Sequence, residues 1–281
     1  MSVHPAVLTL AAALGLRAKT VTIDSVVARY LERMGLFSIL NLPSQFHISE
    51  RDASGRFVPL TIIKNQDEQS RFITEVVPML HLEPENADPI QYVLGELVRN
   101  VLEHSGPSRG AIVAAQYYAN KHMIRSGICD TGLGIRKTIE PSWPQRARTD
   151  LEAIKWALVP GVSGTTTREG GTDTNAGAGL FIVKSMSFLS RNYFLVYSGS
   201  GEYKLLKRRP DVKTARLHAD PDEDRHSERN DAPYFQGTLV AMDIALDQTK
   251  EFASLLAAIR QVYSEAIKER RKARYKRPQF I

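Results

Sequence analysis

Glu96 and Asn100 stand four residues apart in the run Glu96-Leu-Val-Arg-Asn100-Val-Leu-Glu-His104-Ser105. On a helix, that spacing projects both side chains from one face. A carboxylate there can take a proton from water or a hydroxyl, and a neutral amide oxygen suits Mg²⁺, which prefers hard oxygen ligands. The pair alone also describes an ordinary solvated helix face, with Leu97, Val98, Val101 and Leu102 as its packing. A second run, Asp130-Thr-Gly132-Leu-Gly134-Ile135, closes an apolar strand. Its aspartate can accept a hydrogen bond from the exocyclic amine of adenine, and its glycines let the backbone turn and approach a flat ligand. A plain strand-ending turn uses the same residues. A third run, Gly177-Ala-Gly179-Leu180, opens a helix, where backbone N–H groups can receive a phosphate. Ser163, Gly164, Thr165, Thr166 and Thr167 precede it, either as a lid over phosphates or as a solvated loop.

These runs need elements to hold them. Apolar periodicity predicts two helical pieces within residues 6–40, with a strand-like Val21–Ile23 between them and a stop at Gly35. Alternation from Phe46 to Ile63 around Asp52-Ala-Ser-Gly55 predicts a hairpin. Helices follow at about 66–80 and 88–104, then strands at 111–119 and 122–130. The stretch 136–176 is polar apart from one short helix near 150–158. A helix at 178–189 leads to strands at 192–198, 202–207 and 237–245. The charged segment 209–232 reads as disordered, and a last helix runs from Gln248 to Arg274. This order predicts an α+β fold: a two-layer sandwich with a mixed, mainly antiparallel sheet and helices on one face.

Composition narrows the classes. A chain of 281 residues with 43% hydrophobic and 24% charged residues can form a core. The single cysteine, Cys129, excludes an internal disulfide and a multi-cysteine metal site, and reads as a packed thiol. No apolar run is long enough to suggest a membrane span. Ala6–Leu16 lacks the basic lead of a signal peptide, with Arg17 and Lys19 following it instead, so a cytoplasmic location is expected. The net charge of +6 is concentrated in Lys268, Arg270, Arg271, Lys272, Arg274, Lys276 and Arg277. Such a tail reads as a solvated helix end, with an anionic partner such as nucleic acid as the alternative.

In their order and spacing, the three runs resemble the N, G1 and G2 boxes of the GHKL ATPase superfamily, which includes gyrase, the ninety-kilodalton chaperone, histidine kinases and MutL. Gly237-Thr238-Leu-Val is similar to a later Gly-Thr of that family. The resemblance covers roughly residues 60–245 and implies the Bergerat fold, with ATP held between the helical face of the sheet and a lid at about 136–176. It implies that Asp130 contacts adenine, that Asn100 holds Mg²⁺, and that Glu96 is the general base. It also implies that Gly132, Gly134, Ile135, Thr165, Gly177, Gly179, Leu180 and Thr238 line the nucleotide. His104 followed by Ser105-Gly106 looks like the N box of the anti-sigma-factor serine kinases, and places His104 at the nucleotide as well. Gly179-Leu-Phe-Ile-Val-Lys184 is instead similar to the helix after the histidine-kinase G2 box.

His4, His47 and His81 do not sit on a dimerising helical hairpin, so none fits a phospho-acceptor in this chain. About 35 residues follow the last strand, too few for the transducer domain of gyrase or MutL. The resemblance therefore implies a serine/threonine kinase or ATPase acting on a partner protein, STAS-like or another regulator. The alternative is a nucleotide-gated interaction module with little or no catalysis, and a homodimer is left open. The division expected is 1–45 as a helical segment of a partner-binding unit, 46–247 as the ATPase domain, and 248–281 as a basic helix.

Overall fold

The fold is described by a computed structural model covering residues 3–24, 26–43, 57–80, 82, 84–106, 110–164, 177–206, 217–246 and 252–275. In chain order the elements are α1 (Pro5–Gly15), α2 (Ala28–Arg33), α3 (Leu36–Ile39), β1 (Phe57–Ile63), α4 (Gln66–Arg71), α5 (Pro84–His104), β2 (Ala111–Tyr118) and β3 (Met123–Cys129). There follow α6 (Ile135–Ile139), α7 (Asp150–Ala157), α8 (Gly179–Leu189), β4 (Phe194–Gly199), β5 (Gly201–Leu205), β6 (His226–Arg229), β7 (Phe235–Ala245) and α9 (Phe252–Tyr275). The chain is α+β, as expected. It forms two compact units, one of Met1–Leu133 with Gln236–Lys250 and one of Gly134–Phe235 with Glu251–Ile281.

In the first unit the strands run in the order β1-β2-β3-β7, each pair antiparallel. Ala111–Ala115 of β2 are buried in succession, so this strand is covered on both faces. Helix α5 buries Ile90, Val93, Leu94, Leu97, Val98 and Val101, a spacing of three and four that makes one apolar stripe. Each such side chain contributes roughly 1.5–3 kcal/mol by leaving water. Helix α1 carries no charge, which suits a helix packed on a sheet: its backbone at Ala6 lies directly on Gly127 of β3. His4 caps it, accepting from the Ala6 N–H through Nδ1 (3.1 Å) while Nε2 lies 3.3 Å from the Asp243 carboxylate on β7.

In the second unit the strand order is β4-β5-β6, again antiparallel. A capping box between Thr149 and Glu152 starts α7. Helix α8 is buried along most of its length, including Lys184, which is fully enclosed. The Lys184 ammonium lies 2.5 Å from the equally enclosed Asp224 carboxylate and donates to His218 O at 3.3 Å. His218 Nδ1 meets the other carboxylate oxygen at 3.3 Å.

Several sequence expectations need correction. Val21–Ile23 forms no strand, because β-branched residues favour a strand only where a neighbouring strand is available to pair. Only the second arm of the expected hairpin is seen, as β1, and it pairs with β2; the turn at 52–55 and His47 lie outside the described residues, as does His81. Residues 66–80 do not form one α-helix: α4 gives way to a π turn at Phe72–Val76 and a 3-10 turn at Val77–Leu80. The expected polar stretch after 135 begins instead with α6, whose Ile135 and Ile139 are buried. Finally, residues 217–232 are ordered rather than disordered. The Lys184–Asp224 pair, the Tyr203–His226 ring stack at 4.9 Å and the β5–β6 ladder fix them in place. Among the described residues, no helix is long and apolar enough to cross a membrane.

Candidate functional site

The motif residues divide between the units, so each group is taken with its own unit. In the first, Glu96, Asn100 and His104 lie on α5, Asp130 just beyond β3, and Thr238 near the start of β7. The end of α5 and the Asp130 turn meet backbone to backbone. Leu133 N donates to Ser105 O at 2.8 Å, and a Cβ on Gly132 would lie only 2.1 Å from that same carbonyl. Gly132→Ala is therefore expected to force the turn off the helix end. The expected cost is roughly 1–3 kcal/mol in a urea denaturation curve, and an unchanged midpoint would refute the close packing.

Asp130 is 3% exposed. Its Oδ1 accepts from Gly132 N at 2.7 Å, its own N–H donates to Thr238 O at 2.9 Å, and Thr238 donates back to the carboxylate. Burial pushes Asp130 up to about 6, against the opposing effect of those donors and of the Arg17 guanidinium. Gly237 makes this geometry possible: its φ of +126° suits only glycine, and a Cβ would come 2.1 Å from Asp130 O. The result is an enclosed carboxylate that can exchange a proton near neutral pH and can accept a further hydrogen bond.

On α5, Glu96 Oε2 accepts from Arg99 Nη2 at 2.5 Å, and Arg99 also lies 3.7 Å from Glu103. His104 is 3.7 Å from Glu103, and burial lowers its pKa, favouring the neutral ring. The Asn100 amide nitrogen is buried with no hydrogen-bond partner. Rotation of the amide by 180° puts its oxygen in the same place, so the position suits a hard cation. Cys129 is fully buried, and burial holds its thiol well above the usual range, so it is a packed thiol, as expected.

In the second unit Gly134 caps α6, with Ile135 N donating to Ser198 Oγ at 2.9 Å. Gly179 and Leu180 begin α8. Gly161 N donates to Gly177 O at 3.0 Å, and a Cβ on Gly177 would lie 2.3 Å from Val162 O. Gly161 and Val162 are thus pinned to Gly177. Thr165, with Thr166 and Thr167, lies outside the described residues. A cleft of about 830 Å³ between α7, residues 219–222 and α9 holds none of the motif residues. Among the described residues one trio, Asp222, His226 and Glu228, could gather round a metal ion. The Lys155 ammonium already pairs with Asp222 and lies 3.0 Å from Glu228, so that cluster has its counter-charge.

Sequence reading missed two participants. Arg17 donates to two carbonyls beside Asp130, and nothing in its sequence surroundings signals that. Asp224 was hidden in a charged segment; its one signal was Lys184 in an otherwise apolar helix, a cation that needs a partner. Neither a protein-family model nor a curated protein matches this chain.

Proposed function

We propose that this chain is an ATP- and Mg²⁺-binding regulatory protein of the histidine-kinase-like ATPase type, cytoplasmic, which phosphorylates serine or threonine on a partner protein. The observation that carries this reading is the enclosed Asp130 carboxylate, faced by donors from Gly132 and Thr238. That arrangement suits recognition of the adenine amine, and the resemblance of the sequence runs to the GHKL boxes assigns it the same role. Asn100, whose amide nitrogen is buried without a hydrogen-bond partner, fits a Mg²⁺ ligand, and the ion, when bound, supplies neutralisation of phosphate charge. Glu96 would take the proton from the attacking hydroxyl. By the resemblance, Gly177 and Gly179 line the phosphates and the stretch at about 136–176 serves as lid. The N-terminal segment is a fitting partner surface, because Val7 and Leu14, one α1 face apart by seven residues, are 54% and 52% exposed.

A second reading keeps nucleotide binding but not transfer, and one observation favours it: Glu96 is already held by Arg99. Glu96→Gln separates the two. Calorimetry with Mg–ADP is expected to give unchanged affinity, and stability should move by no more than about 1 kcal/mol, since Arg99 is partly exposed. Transfer of labelled phosphate to a STAS-type partner is expected to fall at least a hundredfold, by the usual scale of a lost general base (roughly 10²–10⁴). Label that leaves ATP only as free phosphate in the wild type sinks the kinase reading.

A further inference from the structure

The β3–β7 ladder runs out at the candidate adenine site. Its last rungs are Cys129 opposite Leu239 and the bond from Asp130 N to Thr238 O. Continued, that register sets Thr131 opposite Gly237 and Gly132 opposite Gln236, but Gly132 N donates to the Asp130 carboxylate and not across the ladder, so the carbonyls of Thr131 and Gln236 take their donor from elsewhere. Arg17 bridges them: Nη1 donates to Gln236 O at 3.0 Å and Nη2 donates to Thr131 O. A guanidinium is a rigid planar fork, so it fixes the separation of the two backbones it joins; an ammonium on a flexible stem does not. The fork itself is anchored, because it follows α1, whose backbone rests on Gly127 of β3. Just inside the bridged carbonyls lie Asp130, one residue from Thr131, and Gly237-Thr238, one and two residues from Gln236.

We propose that Arg17 is the positioning residue for adenine recognition, replacing the missing rung of the ladder and holding Asp130 and Thr238 at the spacing that accepts the purine amine. This rests on the nucleotide-binding reading. It also ties the N-terminal segment to nucleotide affinity: a partner that draws the segment after α1 away from the sheet removes the fork and loosens the adenine pocket.

The test compares ADP with inosine diphosphate, which carries an oxygen where adenine carries the amine, on the full chain with Mg²⁺. Arg17→Ala is expected to weaken ADP binding roughly tenfold, the scale of a charge-assisted hydrogen bond, while leaving inosine diphosphate nearly unchanged. Arg17→Lys, which can serve one carbonyl at a time, is expected to give an intermediate ratio. It carries the test by itself if the alanine variant does not fold. Wild-type discrimination in both variants overturns the proposal, as does an equal loss of both nucleotides accompanied by a lower Tm, which marks a merely structural role. A wild-type protein that binds neither nucleotide overturns the nucleotide reading itself and this inference with it, an outcome distinct from the other two.

Discussion

Asp130→Asn is expected to lower adenine-nucleotide affinity by roughly 10- to 100-fold, the worth of a hydrogen bond to a charged acceptor. The same change should alter how stability depends on pH. Burial raises Asp130 from 3.8 to about 6, so folding favours its protonated form. A group raised in this way contributes stability that is complete below pH 3.8 and is lost as pH rises through about 6. At pH 7 the enclosed, ionised carboxylate therefore costs about 3 kcal/mol relative to its protonated form. Urea denaturation at pH 4.5 and pH 7 should show about 2 kcal/mol of that component in the wild type and none of it in Asp130→Asn. Binding runs the other way: the ionised carboxylate is the better acceptor, so ADP affinity should fall as pH drops below about 6. Equal ADP affinity in wild type and Asp130→Asn would remove the adenine role from this residue.

Lys184→Ala is expected to destabilise the second unit by about 3–5 kcal/mol, because it leaves the Asp224 carboxylate buried without its main counter-charge. Asp224 is fully enclosed, and among the described residues His218 would remain beside it, at 3.3 Å. Segment 217–229 should then become the first site of limited proteolysis, since Asp224 is its inward anchor. The paired replacement of Lys184 by Met and Asp224 by Leu should recover most of the loss, as an apolar pair carries no desolvation penalty. A double variant as unstable as Lys184→Ala would mean that the hydrogen bonds to His218, and not the ion pair, hold the segment.

The two residues also show what is legible in a sequence. Asp130 could be singled out because its local context, an apolar strand ending in glycines, is itself the structure: β3 ends at Cys129 and the turn follows at once. The same holds for α8 and for the β2–β3 pair, whose connecting turn at Ala119–Lys121 falls where polar residues interrupt two apolar runs. Asp224 could not be singled out, because its partner is 40 residues away and its neighbours are charged and mostly exposed. Composition there predicts solvation; one long-range pair and a short β-ladder reverse it. Arg17 is a different failure. Its acceptors are backbone carbonyls, which every residue carries, so no pattern of side chains could reveal them. Val21–Ile23 failed in the opposite sense, with local strand preference and no strand alongside to pair with.

The pinning of Gly161 and Val162 to Gly177 has an evolutionary corollary. A chain segment whose ends are clamped pays for added length only through loop-closure entropy, about 0.6 kcal/mol for each doubling. Inserting residues between these glycines is therefore expected to leave α8 in place, since its start at Gly179 follows directly on the clamp. Chain length between the two glycines is thus a cheap variable, while the glycine at the clamp, where a Cβ would strike Val162 O, is not.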